Sequence, residues 1–438
     1  MNTKNLISKS AIVGIFLFIT GTNATVFSQE KAPVETEIPL VNQLQSEFNK
    51  SKLLKISGYV QAQYQVADTA GISSFAGGNF GKGTDNRFMV RRGRVKFAYN
   101  NEFSQAVLQI DITEKGLGIK DAYVSVTEPW LKTVSLTGGV FDRPFGYEIS
   151  YSSSVRETPE RSRMYQTLFP GERDLGGKLS LQAPKNSSWN LLKLEVGLLN
   201  GNGPNVETDA YKDVSGRLSV NKTSSNKKFS WGLGSSYYIG GFSAKTDSLY
   251  TSKKVNEQSV FVKDSIAHGS KLDREYIGLD GQVSMDWWLG KTQIRAEYLL
   301  GTQTGTEKST SSLTAAINAD AYTRNFEGYY VYFIQNIFKT PLQAVVKYDV
   351  YDPNVQVAGN TIGLAAPTGY KKTGEADIKY ATLGIGLNYQ WNKHLKIMAY
   401  YDMVTNETTI NSNHGSTLKD LSKDRKDNVF TLRVQYKF

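Results

Sequence analysis

At 438 residues with a formal net charge of +10, and with 25 Tyr, 20 Phe and 39 Gly against only 11 Pro, the chain has the composition of a strand-rich protein. The absence of cysteine excludes a disulfide framework, a cysteine-ligated zinc site and a lipoprotein anchor. This length would serve two or three soluble domains or one large barrel, and a mean hydropathy of −0.38 does not decide between them, because barrel strands are only half apolar.

Lys4 and Lys9 precede an apolar run from Ala11 to Ile19 and then small and polar residues as far as Val26, Phe27 and Ser28. This is the pattern of a signal peptide, residues 1–28, cleaved after Ser28; a transmembrane helix would need roughly 18 apolar residues. Its removal takes away Lys4 and Lys9 and lowers the charge from +10 to +8. An exported basic chain is expected to meet anionic solutes, outer-membrane lipid and lipopolysaccharide, and no nucleic acid. Residues 29–53 read as a periplasmic leader, either a short helix or disordered.

Period-2 alternation begins at Leu54. Ile56, Gly58, Val60, Ala62 and Tyr64 share one face, while Lys55, Ser57, Tyr59, Gln61 and Gln63 share the other. The next strand runs near Phe88 to Tyr99, and the pattern recurs down to the last ten residues. There Phe430, Leu432, Val434, Tyr436 and Phe438 alternate with Thr431, Arg433, Gln435 and Lys437. Such a strand suits a wall with lipid on one side and water on the other, and the aromatic final residue resembles the assembly signal of outer-membrane barrels. We count sixteen strands. Connections after odd strands are long and those after even strands short, with one exception, the brief stretch 113–118. Trp130, Trp189, Trp231, Trp287, Trp288 and Trp391 all fall in or beside the short class, as an interfacial girdle requires. A soluble β-sandwich also alternates, but it would not produce two classes of loop, a girdle and an export signal together. The predicted fold is therefore an all-β, 16-stranded antiparallel transmembrane β-barrel over residues 54–438, with short periplasmic turns and long extracellular loops, in a Gram-negative outer membrane.

The polar strand faces would line the lumen. Their bases, Lys55, Arg92, Arg94, Lys96, Lys178, Lys193, Arg217, Arg295, Lys347, Lys396, Arg433 and Lys437, outnumber their acids, Asp111, Asp121, Glu195, Asp280, Glu297 and Asp349. A cationic constriction concentrates anions, so an anion preference follows; lumenal salt bridges would blunt it. Arg92, Arg94 and Lys96 share one face at two-residue spacing. Arg91 falls on the apolar face, which places it above the lipid boundary or in a bulge. The third outer loop carries Arg143, Arg156, Arg161, Arg163 and Arg173, stiffened by Pro144, Pro159 and Pro170. Folded inward it would set these arginines at a constriction; otherwise it is a surface loop. Its acids, Asp142, Glu148, Glu157, Glu160 and Glu172, match its bases, so its net charge does not argue for an anion site.

The segments RRGRVKFAYNNEF, IKDAYVSV, GGVFDRPFGYE and ERS followed by FPGERDLGGKL resemble the strand and loop motifs of the phosphate-selective porin O and P family. The resemblance implies a trimeric sixteen-stranded porin with phosphate bound along an arginine-lined pore and lysines at its constriction. Here no lysine lies between Asp142 and Arg173, a departure that bears on phosphate specificity rather than anion preference. The pore-lining, anion-binding candidates are Arg92, Arg94, Lys96, Arg143, Arg156, Arg161, Arg163 and Arg173. No catalytic residue, metal or cofactor is expected. An outer-membrane enzyme is one alternative, but His268, His394 and His414 sit in loops or turns with no evident acid–base pair. A plugged barrel acting as adhesin or scaffold is another.

Overall fold

The computed structural model describes residues 53–313, 318–409 and 416–438. The signal and leader segments expected from the sequence lie outside these residues, apart from the last residue of the leader. The strands are β1 Leu54–Ala67, β2 Asn86–Asn100, β3 Ser104–Thr113, β4 Gly116–Thr127, β5 Val134–Asp142, β6 Arg173–Gln182 and β7 Leu192–Leu199. They continue with β8 Asp213–Thr223, β9 Phe229–Ser243, β10 Ser248–Val255, β11 Gln258–Ser265, β12 Lys271–Trp287 and β13 Gly290–Gly305. The last are β14 Ala321–Asn336, β15 Leu342–Asp352, β16 Lys371–Lys372, β17 Tyr380–Gln390, β18 Leu395–Asn406 and β19 Val429–Lys437.

Sixteen of these strands form a closed antiparallel wall; β10, β11 and β16 lie in the outer loops. Closure is made by β19 on β1, in register from Tyr59 against Lys437 to Ala67 against Val429. A spanning sheet must close this way, because an unpaired backbone edge finds no water in the hydrocarbon. The pleat then sorts the side chains. On β19, Leu432 and Tyr436 are 40% and 52% exposed, whereas Thr431 and Arg433 are 0% and 2% exposed. All six tryptophans lie at the short-turn end, and Trp130 and Trp288 are among the most exposed side chains of the barrel.

Three details depart from simple alternation. The β1–β2 register shifts between Gln61 and Ala62, so Arg91 sits in a bulge and its guanidinium turns into the lumen. A second shift, between Gln109 and Ile110 on β3, does the same for Lys120 on β4. In the outer loop between β9 and β12, β10 and β11 make a hairpin across Asn256 and Glu257, both at positive φ, as a two-residue turn of matching twist requires. This hairpin pairs with β14 and β16, covering the outer side of that half of the barrel. The flanking stretches SLYTSKKV and QSVFVKDS carry its signal, masked by the length of the surrounding loop.

The loop from 143 to 172 is folded inward. It contains the short helix α1, Arg163–Leu168, whose Met164, Tyr165 and Leu168 join Phe145 and Phe169 in a buried cluster with Tyr238, Tyr276, Leu299, Tyr330 and Tyr332 of the wall. Tyr238 and Tyr276 stack at 5.1 Å, and Phe169 meets both edge-on at 5.6 and 5.5 Å. Aromatic packing thus fills the side of the lumen bounded by β9, β12–β15 and β18.

A buried loop must satisfy its own polar groups, and the wall supplies the partners. Arg217 donates to the Gly146 carbonyl at 2.8 Å, Lys396 to that of Arg156 at 2.8 Å, and Arg433 to that of Pro159 at 2.8 Å. Glu297 accepts from the Glu148 amide at 3.0 Å, from the Tyr165 hydroxyl at 2.7 Å and from the Tyr330 hydroxyl. Glu157 takes a forked pair of bonds from Arg295, at 2.9 and 3.0 Å. Glu160 is the strongest tie, with Arg91, Arg92 and Arg433 at 2.8, 2.7 and 3.0 Å. Burial alone would raise its carboxyl, but Arg91, Arg92 and Arg433 hold it well below the usual carboxylate range. Its folded value lies below its unfolded one, so this stabilisation is complete above the ordinary carboxylate range and is lost as the pH falls through the lowered value.

Two outcomes are expected. In vesicles of bromolipids, tryptophan fluorescence should be quenched most by bromines near the headgroup end of the acyl chain; strongest quenching at the bilayer centre would contradict the girdle. Glu160→Gln leaves the buried guanidinium groups of Arg92 and Arg433, and the part-buried one of Arg91, without this countercharge, a loss of about 3–5 kcal/mol for a broken buried pair. The variant should unfold at lower temperature in a heat-shift gel at neutral pH. The difference from wild type should shrink below about pH 4, where an ordinary carboxyl protonates.

Candidate functional site: a cationic cavity beside the folded-in loop

With one half of the lumen packed solid, the open space lies against β1–β7. A cavity of about 680 Å³ extends there from the short-turn rim, at Thr127, Lys132 and Thr133, inward to Arg94, Asp121, Arg161 and Arg173. Its wall is the inward face of β1–β6, which alternation delivers at every second residue: Ser57 and Tyr59, Arg94 and Lys96, Asp121, Tyr123 and Ser125, Lys178 and Ser180. The folded-in loop supplies the opposite side through Ser150, Ser152, Ser153 and Ser154. Hydroxyls and amides line the middle, so a hydrated solute finds hydrogen-bond partners throughout.

The charge is one-sided. Arg94, Lys96, Lys132, Arg161, Arg173, Lys178, Lys193 and Lys437 border the cavity, against Asp121 and Asp142. Some of these cations are partly compensated: Lys178 and Lys193 reach Glu195 at 3.1 and 2.9 Å, and Arg94 holds Asp111 at 2.9 Å. Lys96 and Lys437 have no carboxylate partner among the described residues. At the inner end Arg173 bonds Asp121 at 3.0 Å, Asp142 at 3.1 Å and Glu172 at 2.7 Å. Glu172 also pairs with Arg161 and, at 3.5 Å, with Lys120. Burial would raise the Glu172 carboxyl, yet Arg161, Lys120 and Arg173 hold it well below the usual range.

The eight candidates from the sequence separate into two groups. Arg94, Lys96, Arg161 and Arg173 border the cavity. Arg92 is buried against Glu160 and Gln61, the latter at 3.0 Å, while Arg143 is buried on Asp174 at 2.9 Å. Arg156 is buried within its own loop, where it donates to the Tyr151 carbonyl at 3.3 Å. Arg163 lies between Phe75 and Tyr380, 4.3 and 3.9 Å from their rings, and borders a cavity of about 30 Å³. Lys120 and Lys132 were missed. Lys132 sits in a turn, and the IKD triplet, with two polar residues adjacent before Ala122, is the one trace of the bulge that carries Lys120 inward.

Among the described residues there is no cluster of His, Asp and Glu suited to a metal ion. His394 is engaged structurally, with Nδ1 at 2.7 Å from the Lys437 carbonyl and its ring stacked on Tyr436.

Among solved structures the chain is similar to an anion-selective porin from Comamonas acidovorans, with 10% identity over 88% of this chain and 99% of that one and a TM-score of 0.51. It is also similar to the outer membrane channel DcaP of Acinetobacter baumannii, with 13% identity over 88% of this chain and 97% of that one and a TM-score of 0.50. At such identities the likeness is one of fold. No curated protein matches the sequence. The family model for phosphate-selective porin O and P matches residues 81–438, from the loop before β2 to the end of the last strand. A closed sixteen-stranded wall, a polar lumen narrowed by an inward loop and a family match over most of the length agree: the chain belongs to the phosphate-selective porin O and P family of outer-membrane channels.

Proposed function

We propose that this porin is a passive, anion-preferring diffusion channel for small oxyanions of the phosphate class, working as a trimer without cofactor or energy source. We further propose that the chain reaches the outer membrane through cleavage of the signal segment 1–28. The single observation that carries the anion preference is the imbalance on the surface of the 680 Å³ cavity, where Arg94, Lys96, Lys132, Arg161, Arg173, Lys178, Lys193 and Lys437 stand against Asp121 and Asp142, and where Lys96 and Lys437 have no carboxylate partner among the described residues. Between low-dielectric walls such an excess raises the local concentration of anions and repels cations. The hydroxyl-lined surface supports passage of hydrated oxyanions, which accept hydrogen bonds on several oxygens. Trimerisation rests on the family resemblance, and contacts with lipid and lipopolysaccharide follow from the barrel's place in the outer membrane.

Catalysis has little support. His268 lies in an outer loop, His394 is held in a short turn by the Lys437 carbonyl, and His414 lies outside the described residues. A second reading, a plugged scaffold, draws support from the aromatic cluster that fills half of the lumen.

The test is the reversal potential of purified protein in a planar bilayer under a potassium chloride gradient. Preference for chloride is expected, and Lys96→Glu, which inverts a cation with no carboxylate partner, should reduce the chloride-to-potassium permeability ratio severalfold. Cation selectivity in the wild type would sink the charge argument, and a silent barrel would favour the scaffold.

A further inference from the structure

A second cavity, of about 320 Å³, lies on the long-loop side at the β3–β4 hairpin, an open slot where β2 parts from β3, bordered by Met89, Arg91, Asp111 and Lys120 and by the outward-facing Leu117 and Ile119. The connection there is only two residues, Glu114 and Lys115, so the outer rim is low above this cavity. Ion pairs link the linings of the two cavities. Lys120 borders the outer one, Arg161 and Arg173 border the inner one, and the Glu172 carboxylate binds all three. Beside it, Asp111 of the outer cavity pairs with Arg94 of the inner at 2.9 Å.

Glu172 is also held in an unusual way. It follows Gly171 at the end of the folded-in loop and has a φ of +67°, in the left-handed region that L-residues other than Asn and Asp seldom adopt. Gly171, at +80°, bends the chain in the same sense, and Lys120 donates to its carbonyl at 3.2 Å. The turn therefore carries the carboxylate to the point where cations from β4, β6 and the loop converge. Outliers of this kind cluster at functional positions.

We propose that Glu172 is a tethered counter-anion: it occupies the anion path at the junction of the two cavities, and a permeating anion passes by displacing it from Lys120, Arg161 and Arg173. This rests on the anion-channel reading above and adds the residue that sets its selectivity. An anion that replaces a carboxylate bridging three cations must itself offer several acceptor oxygens. Tetrahedral oxyanions do so and chloride does not, so competition with Glu172 discriminates between them.

The experiment compares wild type, Glu172→Gln and Lys120→Gln in planar bilayers, reading chloride conductance, reversal potential and the concentration of inorganic phosphate that halves the chloride current. Both substitutions break the same ion pair, so mere loosening of the loop would shift both variants in one direction. The tethered counter-anion requires opposite shifts. Glu172→Gln should raise chloride conductance at least threefold, make the channel more anion-selective and lower the half-blocking phosphate concentration; Lys120→Gln should weaken anion selectivity and raise that concentration. Shifts of the same sign in both variants, or a Glu172→Gln channel indistinguishable from wild type, overturn the proposal while leaving an anion-selective wild type intact. Loss of anion selectivity in the wild type itself would overturn the channel reading on which it stands. A heat-shift gel confirms that each variant is folded; should Glu172→Gln not fold, Glu172→Asn, which tolerates the left-handed backbone, takes its place with the same expectations.

Discussion

Every peptide group in a lipid-spanning segment must find its hydrogen-bond partner within the chain, and the rest of this structure follows from that constraint. It forces the sheet to close, β19 onto β1, and closure fixes which face of each strand meets lipid. Alternation then delivers polar side chains to the lumen at every second residue, as in Arg92, Arg94 and Lys96. The rule is broken where a bulge inserts a residue into the ladder. In both barrel bulges the extra residue, Arg91 or Lys120, is a cation that ends in the lumen. A bulge is thus a means of placing consecutive charged residues on one side of a wall whose pleat would otherwise separate them.

A ring of sixteen strands is too wide for its own side chains to fill. The loop after β5 solves this asymmetrically. Its apolar residues, with those of α1, pack against tyrosines of β9, β12 and β14, while its carboxylates engage arginines of β2, β13 and β19. One half of the lumen becomes a core like that of a soluble protein, and the passage is displaced to the other. The equality of acids and bases in this loop, which says nothing about selectivity when counted, has a clear physical role: each buried charge in a low-dielectric packing needs a partner, and Glu157 and Glu160 supply the countercharges for wall arginines.

Selectivity therefore arises from where compensation stops. Over most of the lumen Arg92, Arg217, Arg295, Lys347 and Arg433 are neutralised in ion pairs. In the packed part Arg91, Arg92 and Arg433 share the one carboxylate of Glu160, whereas beside the open cavity Lys96 and Lys437 have no carboxylate partner among the described residues, and there water and solute complete the electrostatic balance. A total of charges along the strands describes the anchoring of the loop as much as the field in the pore.

The sequence by itself determined the barrel: the number of wall strands, closure, the alternation of short and long connections, the tryptophan rim and, away from the two bulges, the inward face of the strands. These are legible because period-2 patterning and turn lengths are local properties, set by lipid on one side and water on the other. The lumen's contents were legible only as a choice of residues. Arg92, Arg94, Arg143 and Arg163 look alike in sequence, yet Arg94 borders the cavity, Arg92 and Arg143 are buried in ion pairs, and Arg163 lies between two aromatic rings. What separated them was the path of one loop across the barrel, fixed by contacts between residues more than a hundred positions apart, such as Glu157 with Arg295 and Glu160 with Arg433. Long-range pairing of this kind leaves no periodic trace in a chain, so the position of the pore, and which charges face it, was decided by the tertiary structure alone.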